Sequence, residues 1–311
     1  MPRMLFCILH FSLCIFHFTG IPMPSLPKPD WIKVKGPSEK CLSDMKHMLD
    51  SLNLHTVFES ATCPNAGTCF AKGTATFMIL GDVCTRNCGF CSVKHGTPLA
   101  VDPEEPLHVA EAAKKLNLKH VVVTSVTRDD LPDGGAAQFA AVIRKLNEFL
   151  PEASTDMLIP DVRGMRDNLK IVTDAAPTIL AHNLETVPRL YRIARHYSSY
   201  ETSLTILKWS KELDPSIFTK SGIMLGLGET RDEVLRTMED LLAVSCDFLT
   251  IGQYLRPTPQ NIEVVEYIHP DIFEEYKKLG EEMGFRYVAS APFVRSSFHA
   301  EEALMHIKKD A

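Results

Sequence analysis

GTATFMILGDVCTRNCGFCSV, residues 73–93, is the stretch on which the fold turns. Its first part, TATFMIL (74–80), is β-branched and apolar without polar alternation, which predicts a buried strand. Four residues later come three thiols at i, i+4 and i+7: Cys84, Cys88 and Cys91. A loop that short can converge three thiolates on one centre, and soft sulfur ligands suit iron–sulfur clusters or zinc. A structural zinc site closes with four ligands, usually as two Cys-x2-Cys pairs. This run supplies three and stops. Three thiolates on a 4Fe–4S cluster would leave one iron open to a small molecule, so the spacing favours a cluster over zinc or a lone reactive thiol.

Outward from that strand, strands and helices alternate. Helix 106–116 precedes strand 120–126, and helix 135–149 precedes strand 156–160. A helix near 165–173 leads to strand 178–183, followed by one long helical stretch over 186–212. Strand 221–227, helix 230–243, strand 247–255, helix 270–283 and strand 285–291 complete the series. Upstream lie a Pro- and Lys-rich arm (24–36) and a helix over 38–52. Apolar strands alternating with amphipathic helices predict an α/β fold with a parallel sheet covered by helices. About seven such units, with no Gly-x-Gly-x-x-Gly after the first strand, favour a barrel or partial barrel over a dinucleotide-binding sheet. Chemistry in such barrels gathers where strands end at their carboxyl side. Polar residues crowd those ends here: Arg128, Asp129 and Asp130; Asp161 and Arg163; His182, Asn183 and Glu185; Glu229; Gln253 and Arg256. The thiol triplet sits at the mouth of the first strand.

Composition narrows the class further. With 33 basic and 39 acidic side chains among 311 residues, the net charge of −6 offers no basic footprint for nucleic acid. A 45% hydrophobic composition can bury a core without disulfide staples. The cysteine count of nine is odd, which argues against a fully paired framework. Five of the nine fall between Cys63 and Cys91. The apolar run 4–18 is too short and too interrupted for a membrane span. It resembles a signal-peptide core without a cleavage site. Residues 1–22 therefore read as a doubtful leader or an over-extended start. Free thiols and an open iron belong in a reducing compartment, so the expected location is the cytoplasm, with no membrane partner.

Cys84–Cys91, CTRNCGFC, fits the Cys-x3-Cys-x2-Cys motif of radical S-adenosylmethionine (SAM) enzymes, with Phe90 as the aromatic before the last cysteine. The chain as a whole resembles the lipoyl synthases over roughly residues 24–307. The blocks that carry the resemblance include LPKPDWIKVK (26–35), LHTVFESATCPNAGTCF (54–70), TSVTRDDLPDGGA (124–136) and HNLETVPRLY (182–191). TKSGIMLGLGET (219–230), LTIGQYLRPT (249–258) and VRSSFHA (294–300) continue it in the same order. The resemblance implies a partial (β/α) TIM-like barrel of the radical SAM type over 73–291. An N-terminal arm and auxiliary-cluster region (23–72) would precede it, and a C-terminal segment (292–311) would close on the second site.

The resemblance also implies the chemistry. Cys84, Cys88 and Cys91 would hold a 4Fe–4S cluster whose open iron chelates SAM. One electron then cleaves the sulfonium to methionine and a 5′-deoxyadenosyl radical, which abstracts hydrogen from an octanoyl chain on a carrier-protein lysine. A second 4Fe–4S cluster would supply two sulfur atoms, giving the lipoyl cofactor. Its ligands in the family are a Cys-x4-Cys-x5-Cys motif and a serine of an Arg-Ser-Ser-Tyr segment. Cys63 and Cys69 keep the x5 spacing, and Ser297 in Arg295–Phe298 takes the serine position. The first cysteine of that motif would fall at position 58, where this chain has Phe58. Phenylalanine cannot ligate iron; Cys41, on the expected upstream helix with nothing to position it, is one substitute, and a weaker cluster completed by an outside ligand is the alternative.

Partners implied are an octanoylated lipoyl-carrier domain or protein and an electron donor such as ferredoxin or flavodoxin. Thr124, Ser125 and Arg128 follow the second strand, where this superfamily holds the methionine part of SAM; their bland alternative is ordering a turn. Asn183 and Glu185 fall where nucleoside hydroxyls could bind, with helix capping by Asn183 or Thr186 as the alternative. Arg189, Arg192 and Arg195 recur every three residues, as a docking face or merely a solvated one. His182 reads as packed rather than as a base, and Cys246, Met78 and Met224 read as core. Two further readings remain: a radical SAM paralogue with altered or lost sulfur insertion, and a non-catalytic iron–sulfur protein.

Overall fold

The computed structural model describes residues 26–32, 54–56 and 76–297. The expected helix over 38–52, Cys41, Phe58, Cys63, Cys69 and the leader lie outside them. The apolar strand before the thiols is β2 (Thr76–Ile79), all four residues buried. It pairs in parallel with β5 (His120–Ser125), and the series continues in sequence order. β6 (Ser154–Leu158), β7 (Ile179–Ala181), β8 (Phe218–Leu225), β9 (Phe248–Gln253) and β10 (Tyr287–Ser290) follow, each parallel to the last. A two-residue strand, β1 (His55–Thr56), runs antiparallel on the free edge of β2. Among the described residues this makes one open eight-stranded sheet, seven strands of it parallel, whose end strands do not pair. Two short parallel strands stand apart: β3 (Val83–Cys84) and β4 (Lys94–His95).

Helices cover one face. α1 (Glu105–Lys115), α2 (Ala136–Phe149) and α3 (Arg166–Thr173) carry Val109, Phe139, Ile143 and Leu169. These pack on Phe77, Val121, Val123 and Met157 in a single buried cluster. α4 (Tyr191–Ala194), α5 (Tyr200–Leu213), α6 (Arg231–Ala243) and α7 (Pro270–Met283) contribute mostly to a second cluster on β8 and β9, with Met238, Leu241 and Phe273 fully buried. Local chemistry sets their ends. Pro106 and Pro270 open α1 and α7, where no N–H is needed. Thr230 and Glu233 form a reciprocal capping box on α6. Gly284 closes α7 in the left-handed region, at φ +113°.

Period-two alternation then turns His120, Val122 and Thr124 of β5 to the other, concave face. Gly222 and Gly252, aligned on β8 and β9 with Thr250 and Met224, also lie there. The C-terminal segment is laid directly over these two glycines. A side chain at Gly222 would meet Ser296 Oγ at 3.2 Å, and one at Gly252 would collide with the Val294 carbonyl.

Most strand ends shift by one or two residues from expectation, and two differences bear on the site. The predicted single helix over 186–212 is broken. A 3-10 turn (Pro188–Leu190) and α4 end at Arg195, and α5 begins only after Ser199, which caps it through the Thr202 N–H. Arg189, Arg192 and Arg195 therefore share no helical face. Arg189 pairs with Glu233, Arg192 is exposed, and Arg195 is buried. β8 begins at Phe218 rather than 221, because Lys220 is buried in an ion pair instead of ending the strand. Of the amino-terminal arm, Asp30–Ile32 form a 3-10 turn that buries Ile32 and sets Trp31 edge-on to His269 at 5.0 Å.

Candidate metal and nucleoside site

The loop after β2 leaves the sheet through two left-handed residues, Leu80 (φ +68°) and Gly81 (φ +88°). It is then fastened on several sides. Thr85 N–H donates to the Thr127 carbonyl (3.0 Å), and its hydroxyl accepts from Asp129 N–H (3.1 Å). Gly89 N–H donates to the Ala194 carbonyl, and the Gly89 carbonyl accepts from Ile262 N–H, both at 3.0 Å. Asn261 Nδ2 spans the loop, donating to the carbonyls of Cys91 (2.8 Å) and Gly89 (3.2 Å). Any side chain at position 89 would press within 2.7 Å of the Ile193 carbonyl, so glycine is required there. Phe90 packs on the second core cluster. The loop is thus a rigid shelf, which suits a cofactor that must be held rather than chased.

Cys84, Cys88 and Cys91 are all free thiols, partly exposed on that shelf. The backbone N–H groups of Thr127 and Arg86 approach Cys84 Sγ at 3.3 and 3.4 Å. Burial pushes the Cys88 thiol up to about 11 and the Cys91 thiol up to about 12. Metal-free, these are protonated and poor nucleophiles at neutral pH, which disfavours a catalytic-thiol role; a metal has to take the place of the protons. Among the described residues, no group of three His, Cys, Asp or Glu is arranged around a single metal ion. Three soft sulfurs, with N–H donors ready to stabilise charge on one of them, fit an iron–sulfur cluster.

Arg86, between the first two cysteines, ties the shelf to two strand ends. It forms two-pronged pairs with Asp129 (2.7 Å on each prong) and with Asp161 (2.6 and 2.8 Å). Such paired forks hold geometry better than single contacts. This knot forms one wall of an open crevice of about 660 Å³, completed by His196, Tyr197 and Ser199. The two aspartates stood out at the strand ends from sequence, but their bond to Arg86 did not.

The other strand-end residues divide. Arg128 is buried and spends its guanidinium on Asp130 and on the carbonyls of Leu80 and Leu99, anchoring the loop. Thr124 donates to the Leu158 carbonyl (3.0 Å), while Ser125 Oγ is buried with no partner. Gln253 and Glu229 organise loops: Gln253 Nε2 donates to three carbonyls, and Glu229 accepts from the N–H groups of Gly226 and Leu227. Asn183 and Glu185 do meet. Asn183 Nδ2 donates to Glu185 Oε1 (3.0 Å) and to Ser296 Oγ (2.6 Å), while Asn183 Oδ1 is buried without a partner. Neither Asn183 nor Thr186 caps a helix. Burial pushes the Glu185 carboxyl up, against the pull of Arg195. Two orphaned acceptors, on Ser125 and Asn183, thus sit at the ends of β5 and β7, where a polar small molecule would satisfy them. Ser297 is half-buried in the turn after Ser296, on the segment crossing Gly252.

His182 is fully buried, Nδ1 on the Ile159 carbonyl (2.9 Å) and Nε2 on Ser203 Oγ (3.1 Å). Burial, then the charge of Arg195, holds it down to about 4. It is neutral at pH 7 and no general base. Because the unfolded chain takes up a proton near 6.5 and the fold resists until about 4, stability is full above 6.5 and falls between those values. The loss is on the order of 3 kcal/mol. Thermal melts from pH 7 to 4 should show this slope, and His182→Gln should flatten it; an unchanged slope would refute the assignment.

Three comparisons bear on this site. A family model described as the radical SAM superfamily matches residues 78–241. A lipoyl synthase of Caldicellulosiruptor saccharolyticus is 53% identical over 280 residues, 90% of this chain and 98% of that one. A lipoyl synthase of Caldanaerobacter subterraneus subsp. tengcongensis is 54% identical, over 89% of this chain and 97% of the other. Among solved structures, Streptococcus suis SuiB bound to S-adenosylmethionine superimposes with a TM-score of 0.55 at 13% identity, over 85% of this chain and 64% of that chain. Methylornithine synthase gives 0.52 at 16% identity, over 65% of this chain and 61% of that chain. At such identities these two likenesses speak for the fold alone.

Proposed function

The chain belongs to the lipoyl synthase family of the radical SAM superfamily, and from that premise we propose a role for each part of the site just described. The protein is an enzyme that inserts sulfur into a protein-bound octanoyl chain, completing the lipoyl cofactor, and it uses 4Fe–4S clusters and SAM. Cys84, Cys88 and Cys91 hold the cluster on which SAM is cleaved. The single observation that carries this is the pinned shelf of three free thiols at the carboxyl end of β2. When bound there, the cluster and SAM supply the one-electron chemistry that an unactivated alkyl C–H demands.

The chain's own side chains do the rest. Asn261 and the Ala194 carbonyl keep the cysteine loop in place. Arg86, clasped by Asp129 and Asp161, locks that loop to the ends of β5 and β6. The end of β5, Thr124 on the concave face and the terminal Ser125, binds the methionine part of SAM, and Arg128 acts beneath it by holding the loop. Asn183 and Glu185 take ribose hydroxyls, with the free Asn183 Oδ1 as acceptor. Cys63, Cys69 and Ser297 serve the second cluster, within an amino-terminal unit (23–72) and a carboxyl-terminal segment (292–311) flanking the barrel (73–291). The Asn183–Ser296 bond supports this last assignment, since it ties the serine segment to the nucleoside side of the site. The substrate is an octanoylated carrier domain, the reductant a ferredoxin or flavodoxin, and the setting the cytoplasm. No helix among the described residues is long and apolar enough to cross a membrane.

Anaerobic reconstitution followed by iron and sulfide counting tests the assignment. About eight irons per chain is expected for two clusters, and about four would overturn sulfur donation by a second one. Phe58→Cys, restoring the third thiol of the Cys63/Cys69 set, should raise the iron content and the yield of dithiolated octanoyl peptide several-fold. A variant indistinguishable from the parent in both would show that position 58 is not a ligand position.

A further inference from the structure

Arg195 is a buried cation that makes no ion pair among the described residues, although the Glu185 and Asp161 carboxyls feel its charge from further off. It is 8% exposed. Its Nη1 donates to the Asn183 carbonyl (2.6 Å), Ser203 Oγ (3.3 Å) and the Tyr191 hydroxyl (3.3 Å), all neutral acceptors. Its guanidinium lies 5.6 Å from the centre of the Tyr191 ring. No carboxylate among the described residues lies within ion-pair distance, whereas the buried Arg128 and Lys220 and the partly buried Arg86 each have one. An unpaired buried cation costs several kcal/mol, so a counter-charge is expected. The backbone says where to look. Residue 194, its chain neighbour, accepts from Gly89 N–H, and the Ile193 carbonyl leaves no room for a side chain at position 89. Arg195 is therefore rooted in the segment that backs the thiol loop, next to the residue that hydrogen-bonds the neighbour of Cys88.

We propose that Arg195 is a positioning residue for electron transfer: its guanidinium is the built-in counter-charge of the cluster on Cys84, Cys88 and Cys91, and raises that cluster's reduction potential. This rests on the assignment of the cluster to those thiols. The reasoning is Coulombic. Taking up one electron adds one negative charge to a thiolate-ligated cluster in a half-buried site. A fixed cation nearby stabilises the reduced form more than the oxidised one, and low local polarity strengthens the effect. The break in the predicted helix gains a purpose as well. Ending α4 at Arg195 lets the chain present the Ile193 and Ala194 carbonyls to Gly89 while the next side chain turns inward. A continuous helix would have kept those carbonyls in its own ladder.

The test is a potentiometric titration of the reconstituted protein without SAM, following the reduced cluster by electron paramagnetic resonance. Arg195→Met should lower the ratio of reduced to oxidised cluster about tenfold at a fixed potential, roughly 59 mV for a one-electron couple. Arg195→Lys, which keeps the charge, should stay within about threefold of the parent. Iron content should match the parent in both. Should Arg195→Met not fold, Arg195→Gln replaces it, keeping polar contacts to Asn183 and Ser203. An unchanged ratio at full iron content overturns the proposal. So does an unchanged ratio with SAM binding weakened tenfold, which would assign the cation to the SAM carboxylate. Failure of the underlying cluster assignment would show separately, as parent protein that binds no iron at the triplet.

Discussion

Cys88→Ala should abolish SAM cleavage while leaving the fold standing. 5′-Deoxyadenosine formation is expected to fall more than about 1,000-fold, or ~4 kcal/mol at 1.36 kcal/mol per factor of ten. Iron content should drop by one cluster. So large a loss follows because no side chain at the site can substitute for the cofactor: the aspartates are committed to Arg86, and His182 is buried and neutral. The fold should survive because the shelf is held by groups other than the Cys88 sulfur. Gly89 is pinned by Ala194 and Ile262, Cys91 by Asn261, and Arg86 by its two aspartates. The melting temperature of the metal-free variant should lie within a few degrees of the metal-free parent. Cys246→Ala is the matched control. That thiol is 3% exposed in the second core cluster, so its loss should cost about 1 kcal/mol of stability and leave cleavage intact. Retention of both iron and 5′-deoxyadenosine by Cys88→Ala would remove the basis for the assignment.

That control separates what the sequence could disclose from what it could not. The triplet was legible because its ligands are local: three thiols at one spacing say nearly everything about their target. The strands were legible because β2, β5, β8 and β9 are buried on both faces and read as unbroken apolar runs. Arg195 was not legible. Its three-residue spacing from Arg189 and Arg192 imitates a solvated helix face, whereas the helix ends at Ala194, whose carbonyl accepts from Gly89 N–H. The links from Arg86 to Asp129 and Asp161, 43 and 75 residues away, belong to the same class. Each partner looks like an ordinary surface charge until the sheet brings strand ends together. Ser296 shows the limit more sharply. The serine segment was identified by its resemblance, yet the hydroxyl that reaches Asn183 is the neighbour of the one expected to matter. Adjacent serines are chemically equal in sequence, and only the turn they occupy tells them apart.

Lys220 is the costliest of these long-range partners to lose. It lies on the concave face of β8, 2% exposed, in contact with Asp156 of β6, which is fully buried. His120 of β5 stands 3.7 Å from the same carboxylate oxygen and donates to or accepts from Ser154 Oγ at 2.7 Å. Asp156 Oδ1 and His120 Nε2 have no hydrogen-bond partner. Despite burial, the nearby Lys220 and His120 hold the Asp156 carboxyl below its usual range. Lys220→Met strands that carboxylate in the interior, and breaking a buried pair on one side costs roughly 3–5 kcal/mol. At about 2–4 °C per kcal/mol for a domain of this size, the melting temperature should fall by on the order of 10 °C. Acidity gives the sign check. In the parent, the depressed carboxyl lends stability above its unfolded value near 4, lost as pH falls through the folded one. In Lys220→Met the carboxyl is raised instead and penalises the fold above its unfolded value, so the gap between variant and parent should narrow on acidification. The double variant Lys220→Met/Asp156→Leu removes both charges and should recover most of the loss, since an apolar pair of similar volume often equals a buried salt bridge. A single variant costing under about 1 kcal/mol, or a double variant no better than the single, would show that these charges do not depend on each other.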